Sequence, residues 1–118
     1  MLLSSQPYTL QLVDDAILLR FEESCVLDHE CGLEKELNQL IRESNSRNLV
    51  VDFSGVGTCS SSVLSALLLA RKQLLPIDGT VKLCCLRDSM RDKLGLLRLI
   101  GKVFRTYESV TEAVESLN

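Results

Sequence analysis

Short apolar runs and stretches of helical periodicity alternate along this chain. Residues 9–13 and 16–21 are two β-like runs in which apolar and polar positions alternate, and they are separated only by Asp14 and Asp15. Two polar residues between such runs are typical of a tight turn. The first twenty-odd residues therefore predict a β-hairpin.

Residues 27–46 have the periodicity of an amphipathic helix. The apolar positions recur at intervals of three and four residues, which places them on one helical stripe, and they are Leu33, Leu37, Leu40 and Ile41. Asp28 precedes this stripe and is the predicted N-cap, because its carboxylate can accept hydrogen bonds from unpaired backbone N–H groups.

The rest of the chain continues the alternation. Residues 49–53 form an almost continuous apolar run rich in β-branched residues, which is typical of a buried parallel strand. Ser109 and Glu112 have the spacing of a capping box at the start of the last helix. The further predicted strands are 81–86 and 102–107, and the further predicted helices are 60–75, 88–99 and 110–117.

The predicted order is β-β-α-β-α-β-α-β-α. After the hairpin, the regular alternation implies an α/β fold with a mixed, mostly parallel sheet and about four helices. The helix predicted over 60–75 is so rich in leucine and alanine that we expect it to be buried on most of its circumference. A length of 118 residues, 46% of them hydrophobic, predicts a single domain over 1–118 with its core at about 8–117.

The sequence lacks the features of a membrane-spanning or secreted protein. No apolar stretch approaches the ~18 residues of a membrane span, and the first residues lack the basic flank and apolar segment of a secretion signal. The five cysteines include no C-x-x-C pair, so we expect reduced thiols in a cytoplasmic protein. Cys84 and Cys85 are neighbours in a predicted strand, and we expect them to point to opposite faces as small apolar side chains.

Charge is distributed unevenly, with an acidic excess in residues 1–45 and a basic excess in 71–105. The basic residues alternate with leucines of the predicted core, which is typical of a solvated helix face. The chain has no tryptophan, two tyrosines and three phenylalanines, which leaves few rings for base stacking. We therefore expect no nucleic-acid partner.

Catalytic motifs are scarce. His29 is the single histidine, and neither a G-x-S-x-G elbow nor a complete glycine-rich phosphate loop is present. An enzyme acting through a serine of the 60–62 cluster would lack a base. Three cysteines and the histidine are of the residue types that ligate zinc, but their spacing matches that of no standard structural zinc site. We therefore expect no enzymatic activity, no cofactor and no metal. The four residues that such a zinc site would use are Cys25, His29, Cys31 and Cys59.

The most distinctive segment is 52–67, where a predicted buried strand ends in Asp52 and a short loop leads to Ser60, Ser61 and Ser62 at a helix start. In open α/β sheets, binding sites form beyond the carboxyl ends of the strands. A helix N-terminus offers unpaired N–H groups and the positive end of the helix dipole, which suit a phosphate. A serine there is either a helix cap or a phosphate acceptor.

This segment resembles the signature of the STAS domain, as found in bacterial anti-sigma factor antagonists. The family pattern is similar to D-[LF]-S-G-V-x-x-[IV]-D-S-S-G-L-G-A-L. The order of the elements, Gly79 to Leu83 and the segment 103–109 are also similar, so that the resemblance covers roughly 8–117. The matching positions are Asp52, Phe53, Ser54, Gly55, Val56, Ser61, Ser62, Leu64, Ala66 and Leu67.

The resemblance implies a non-enzymatic partner-switching regulator. Such an antagonist binds an anti-sigma factor that is also a serine-protein kinase, and a PP2C-type phosphatase can reverse the phosphorylation. Ser61 matches the acceptor position, with Ser60 and Ser62 as less favoured candidates. The implied partner-binding loop comprises Asp52, Ser54, Thr58, Ser60, Ser61, Ser62, Val63 and Ser65.

The sequence departs from the family pattern at three positions. Ser60 replaces the aspartate before the acceptor, and Val63 and Ser65 replace two glycines. These departures leave open that the serines only cap the helix of a diverged binding module. They also leave open a second function, a cytosolic STAS subunit that docks on the ATPase of a membrane lipid transporter without a phosphorylation cycle.

Overall fold

The computed structural model describes residues 8–13, 16–21, 33–55, 61–101 and 103–116. Within them the predicted order of strands and helices is confirmed, and a 3-10 turn (Leu75–Ile77) is added. The elements are β1 (Tyr8–Val13), β2 (Ala16–Phe21), α1 (Leu33–Ser44), β3 (Asn48–Asp52), α2 (Ser61–Leu74), β4 (Thr80–Cys84), α3 (Asp88–Leu96), β5 (Arg105–Tyr107) and α4 (Val110–Glu115).

The five strands form one sheet in the order β1-β2-β3-β4-β5. β1 and β2 pair antiparallel, and every other neighbouring pair is parallel. The predicted mixed, mostly parallel sheet with an N-terminal hairpin is thus confirmed. The register places Arg20 of β2, Asp52 of β3 and Cys84 of β4 side by side near the carboxyl ends of the strands.

The sheet is covered unequally on its two faces. Leu19, Val51 and Leu83 belong to the larger apolar core, which also holds buried residues of α1, α2 and α3. Val50 and Cys84 point to the opposite face and share a smaller core with Ala113 of α4. Because β3 is buried on both faces, it has the nearly continuous apolar sequence from which a parallel strand was predicted.

The helix ends differ from the predictions. α1 lies within the predicted 27–46, whereas its predicted cap Asp28 falls outside the described residues. α3 ends at Leu96 rather than at residue 99, because the chain leaves the helix through Arg98 in the left-handed conformation, with φ of 59°. Among the described residues, no helix is long and apolar enough to cross a bilayer.

α2 carries one exposed strip that includes two of its leucines. Val63, Leu67 and Ala70 are fully buried, but Leu68 and Leu69 remain 39% and 37% exposed. The exposed positions are confined to one strip, and the other described side chains of α2 are buried or half-buried, so burial over most of the circumference holds. The helix packs against α1 and the sheet, and this strip faces solvent.

The capping box of α4 is confirmed in its first half. The Ser109 hydroxyl accepts a hydrogen bond from the Glu112 N–H at 3.1 Å, as the pattern predicts. The Glu112 carboxylate, however, accepts from the N–H of Glu108 at 3.4 Å. In a capping box this second bond goes to the N–H of the cap residue, Ser109, whereas here it goes to the N–H of the preceding residue, Glu108.

Two glycines provide a matched test of packing. A Cβ on Gly79 would collide with the carbonyl oxygen of Arg47 and lie 2.8 Å from Leu74 Cβ, whereas a Cβ on Gly95 in α3 meets nothing within 4 Å. We expect Gly79→Ala to lower the free energy of unfolding by about 1–3 kcal/mol. Gly95→Ala should raise it by about 0.5–1 kcal/mol, because alanine is the better helix former. Urea denaturation measures both, and equal destabilisation by the two changes would contradict this packing.

Candidate partner-binding site

Asp52 is the centre of the site at the carboxyl end of β3. Its carboxylate is 95% buried, and its Oδ2 accepts a hydrogen bond from Arg20 Nε at 2.9 Å. Its Oδ1 accepts the N–H of Ser54 at 2.8 Å. One buried carboxylate therefore joins β2, the end of β3 and the first residues of the following loop.

The charge of Asp52 is maintained by these two partners. Burial alone would raise the pKa of the carboxyl group, because desolvation penalises the charged form. The N–H of Ser54, followed by the Arg20 guanidinium, outweighs burial and lowers the pKa of Asp52 below its ordinary value of 3.8. The side chain is consequently an anion at neutral pH.

A second arginine holds the loop from the other side. Arg87, which directly precedes α3, donates from its Nη2 to the Ser54 carbonyl oxygen at 3.0 Å. The N–H of Phe53 donates to the Cys84 carbonyl oxygen at 3.0 Å, so pairing with β4 continues one residue past β3. The start of the loop is thus fixed by contacts to β2, β4 and the β4–α3 connection.

The two adjacent cysteines lie on the same side of the chain, contrary to the prediction. Cys85 follows the end of β4 and has a φ of 62°, so the strand alternation stops at Cys84. The sulfur atoms of Cys84 and Cys85 and a carboxylate oxygen of Asp52 all lie within 4.8 Å of one another. Among the described residues this is the one histidine, cysteine and carboxylate cluster with a spacing that could hold a metal ion.

The chemistry of this cluster favours hydrogen bonding over metal binding. Burial raises the pKa of the Cys84 thiol well above its usual range, and burial likewise raises the pKa of Cys85. The Cys84 thiol donates to the Val51 carbonyl oxygen at 3.4 Å, and the Asp52 carboxylate already binds Arg20 and Ser54. The four residues of the zinc site considered from the sequence, Cys25, His29, Cys31 and Cys59, lie outside the described residues.

The start of α2 carries the predicted acceptor. Ser61 is the first residue of α2 and Ser62 the second, while Thr58 and Ser60 lie outside the described residues. Val63, in the third position, is fully buried in the larger core. Ser65 is exposed one turn after Ser61.

Beyond this first turn, α2 presents a surface that the sequence analysis did not identify. Leu68, Leu69 and Lys72 are exposed and follow Ser61 and Ser65 at helical spacings. We call the four exposed residues Ser65, Leu68, Leu69 and Lys72 the outer face of α2. The signal was present in the sequence, because Leu68 and Leu69 follow Ser65 by three and four residues, but the leucines were assigned to the core because they are apolar.

The comparisons with known proteins identify the family. A family model described as the STAS domain matches residues 8–113. The chain belongs to the STAS domain family. No curated protein sequence matches it.

Solved structures share this STAS fold at low sequence identity. SpoIIAA from Bacillus, an anti-sigma factor antagonist, superposes in its unphosphorylated form with a TM-score of 0.75 at 16% identity, over 93% of this chain and 96% of that chain. Its phosphorylated form gives 0.72 at 18% identity, over 94% and 99%. A Thermotoga maritima protein described as a candidate anti-sigma factor antagonist gives 0.75 at 19% identity, over 92% of each chain. At these identities the similarity shows the fold.

The Arg20–Asp52 pair gives a direct prediction. We expect Arg20→Gln to raise the pKa of Asp52, because the cation that favours the carboxylate is lost. Since the folded pKa of wild-type Asp52 is depressed, the group stabilises the fold above pH 3.8 and loses that contribution as the pH falls through its lower folded value. Arg20→Gln should reduce this acid-dependent part of the stability. Carboxyl carbon NMR titration and urea denaturation between pH 2 and 6 measure the two effects.

Arg87→Gln is the matched control for this experiment. Arg87 binds the Ser54 carbonyl oxygen and not the Asp52 carboxylate. An equal rise in the pKa of Asp52 in both variants would show that general charge, rather than the contact of Arg20, sets it.

Proposed function

We propose that this STAS protein is a non-enzymatic, cytoplasmic partner-switching regulator of the anti-sigma factor antagonist type. It binds an anti-sigma factor that is also a serine-protein kinase through the β3–α2 loop and the start of α2, and Ser61 is the phosphate acceptor. The observation that carries the proposal is the STAS signature at 52–67, in which β3 ends at Asp52 and Ser61 is the first residue of α2.

The SpoIIAA structures support the proposal by their fold. That protein has been solved both without and with its phosphate, so a fold of this kind accommodates the modification. A phosphate adds about −1.5 to −2 charges, and a helix N-terminus stabilises negative charge. The first turn of α2 has no acidic residue to oppose it.

The three departures from the family pattern differ in how strongly they would affect partner binding and phosphorylation. Val63 replaces a glycine, but its side chain is buried in the core and adds no bulk to the surface. Ser65 is exposed, and it adds only a hydroxymethyl group to the outer face of α2. Neither change obstructs a partner that approaches this face. Ser60, which replaces the aspartate before the acceptor, remains the significant departure because a kinase would meet a different local charge.

The outer face of α2 supplies a contact surface next to the acceptor. Leu68 and Leu69 are partly exposed and adjoin the cation of Lys72. Aromatic or aliphatic side chains of a partner could bury these leucines, and the free energy of a protein interface comes largely from such apolar contacts. A phosphate on Ser61 would place a doubly charged group at the end of this apolar surface, where desolvation and repulsion from acidic partner groups oppose binding.

The second candidate function is docking on the ATPase of a membrane lipid transporter. The replacement of the family aspartate by Ser60 favours it, because a constitutive docking module has no need of kinase recognition. The same surface would be used, but without phosphorylation. The two functions therefore differ in the modification of Ser61 and in the class of ATPase that is bound.

The test combines phosphorylation mapping with partner binding. We expect peptide mass spectrometry of the protein isolated from its host to find phosphate on Ser61, absent in Ser61→Ala. Ser61→Glu should weaken binding of the purified anti-sigma factor kinase at least tenfold, about 1.4 kcal/mol, because it places a charge in the interface. Calorimetry measures the affinity.

Thr111→Ala is the matched control, since it removes an exposed hydroxyl group from the first turn of a different helix, α4, which is not part of the proposed contact surface. It should keep both the phosphate on Ser61 and the affinity for the kinase. A protein that is bound to a transporter ATPase and never phosphorylated would contradict the proposal and support the docking function.

A further inference from the structure

The two edges of the sheet are protected to different degrees. The strand order makes β1 and β5 the edge strands. β5 has only three residues and begins with the exposed Arg105, and both a short strand and a charged side chain discourage the addition of a further strand. β1 has six residues, with no charged residue, proline or glycine among them. β1 is therefore the edge that lacks these protections.

The backbone of β1 is regular over its whole length. Each residue has one partner on β2, from Tyr8 opposite Phe21 to Val13 opposite Ala16, so the strand contains no bulge. In an antiparallel edge strand, every second residue directs its N–H and C=O groups away from the sheet. Among the described residues, no strand pairs with this outer side of β1. Such a row of backbone groups is a template for one more strand.

A leucine of β1 is also exposed at this edge. Leu10 and Leu12 lie on the face of the larger core, because their partners on β2, Leu19 and Ile17, belong to that core. Leu10 packs against the core and is half-buried, whereas the side chain of Leu12 is 55% exposed. A strand added at this edge would cover Leu12 with the side chain that stands opposite it.

We propose that β1 pairs antiparallel with β1 of a second copy of this chain, which joins two five-stranded sheets into one. A two-fold axis perpendicular to the sheet keeps each face of the strand on its own side, so each residue opposes a residue of the same face. An axis through Gln11 satisfies this condition. On the face of the larger core it sets Leu10 against Leu12 of the second copy, and this pair occurs twice. On the other face it sets Thr9 against Val13, also twice.

This register is favoured over the alternative axis, which passes through Leu10. That axis would set Leu12 against Tyr8, which is only 4% exposed and whose hydroxyl donates to Glu36 of α1. Tyr8 is thus already covered within its own chain. The axis through Gln11 instead gives two leucine pairs and two pairs that contain β-branched residues, and such residues are favourable neighbours across strands.

The composition of β1 favours a second copy of the same strand as the partner. The chain has a net charge of −3, but residues 9–13 contribute none of it, so two copies meet at this edge without opposing like charges. A contact through one five-residue strand is small compared with the ~1,200–2,000 Å² of stable interfaces, so we expect a weak dimer with a Kd of roughly 0.01–1 mM. The outer face of α2 is not part of this edge, so the inference does not depend on the proposed function.

The test is sedimentation equilibrium of the full-length protein over a range of about 10 µM to 1 mM, which brackets the expected Kd. We expect the average mass to rise from that of one chain toward that of two. Amide hydrogen exchange followed by NMR should show that alternate amides of residues 9–13 become protected as the concentration rises, whereas those of β5 do not. Gln11→Lys should weaken dimerisation at least tenfold, because it sets two cations against each other at the axis.

Thr111→Lys is the matched control, because it adds the same charge to an exposed residue of α4, which packs on β3, β4 and β5. It should dimerise like the wild type, and Gln11→Lys should keep a cooperative urea transition. A protein that stays monomeric to the highest concentration, or equal weakening by the two changes, would overturn the proposal. Protection of the β1 amides that does not depend on concentration would overturn it as well, because the chain would then cover this edge itself.

Discussion

The contact on which the candidate site depends is the buried carboxylate of Asp52. A buried anion is tolerated only when its oxygens are fully engaged, and here Arg20 and the N–H of Ser54 supply that engagement. The same two contacts determine how the chain leaves β3. Arg87 also donates to the Ser54 carbonyl oxygen, so Ser54, two residues after the end of β3, is held by contacts to Asp52 and Arg87. The neutral thiols of Cys84 and Cys85 complete the surroundings without adding charge.

The fold could be predicted from local patterns because each pattern has a single dominant cause. Alternation and the two-residue turn predict the hairpin, and two-sided burial makes the centre of β3 continuously apolar. Arg20 could not be found in this way. Its pairing with Asp52 follows from the register of two parallel strands joined through α1, and register between segments this distant is absent from local sequence. The side-by-side cysteines were missed because strand alternation was extended through Cys85, where the backbone has a positive φ.

The sequence predicts which segment of the chain carries the candidate site, but not which side chains of that segment are exposed. The motif places Ser61 at the start of α2, as found. It also includes Val63, whose side chain the structure buries, and it omits Leu68 and Leu69, which the structure partly exposes. Both differences arise from the rotational setting of α2 against the sheet and α1. Apolar character alone does not fix that setting when a helix has more leucines than one packed side can hold.

The unequal covering of the sheet explains why the cysteine pair beside Asp52 and the buried Lys82 lie on the same face. Three helices cover the larger core, whereas α4 alone covers the other side. Polar groups are easier to accommodate under one short helix, since its ends stay close to solvent. α4 meets Cys85 near its first residue, Val110, and Lys82 just past its end through Ser116. This helix is therefore the element that connects the carboxyl edge around Asp52 with the buried lysine in the middle of β4.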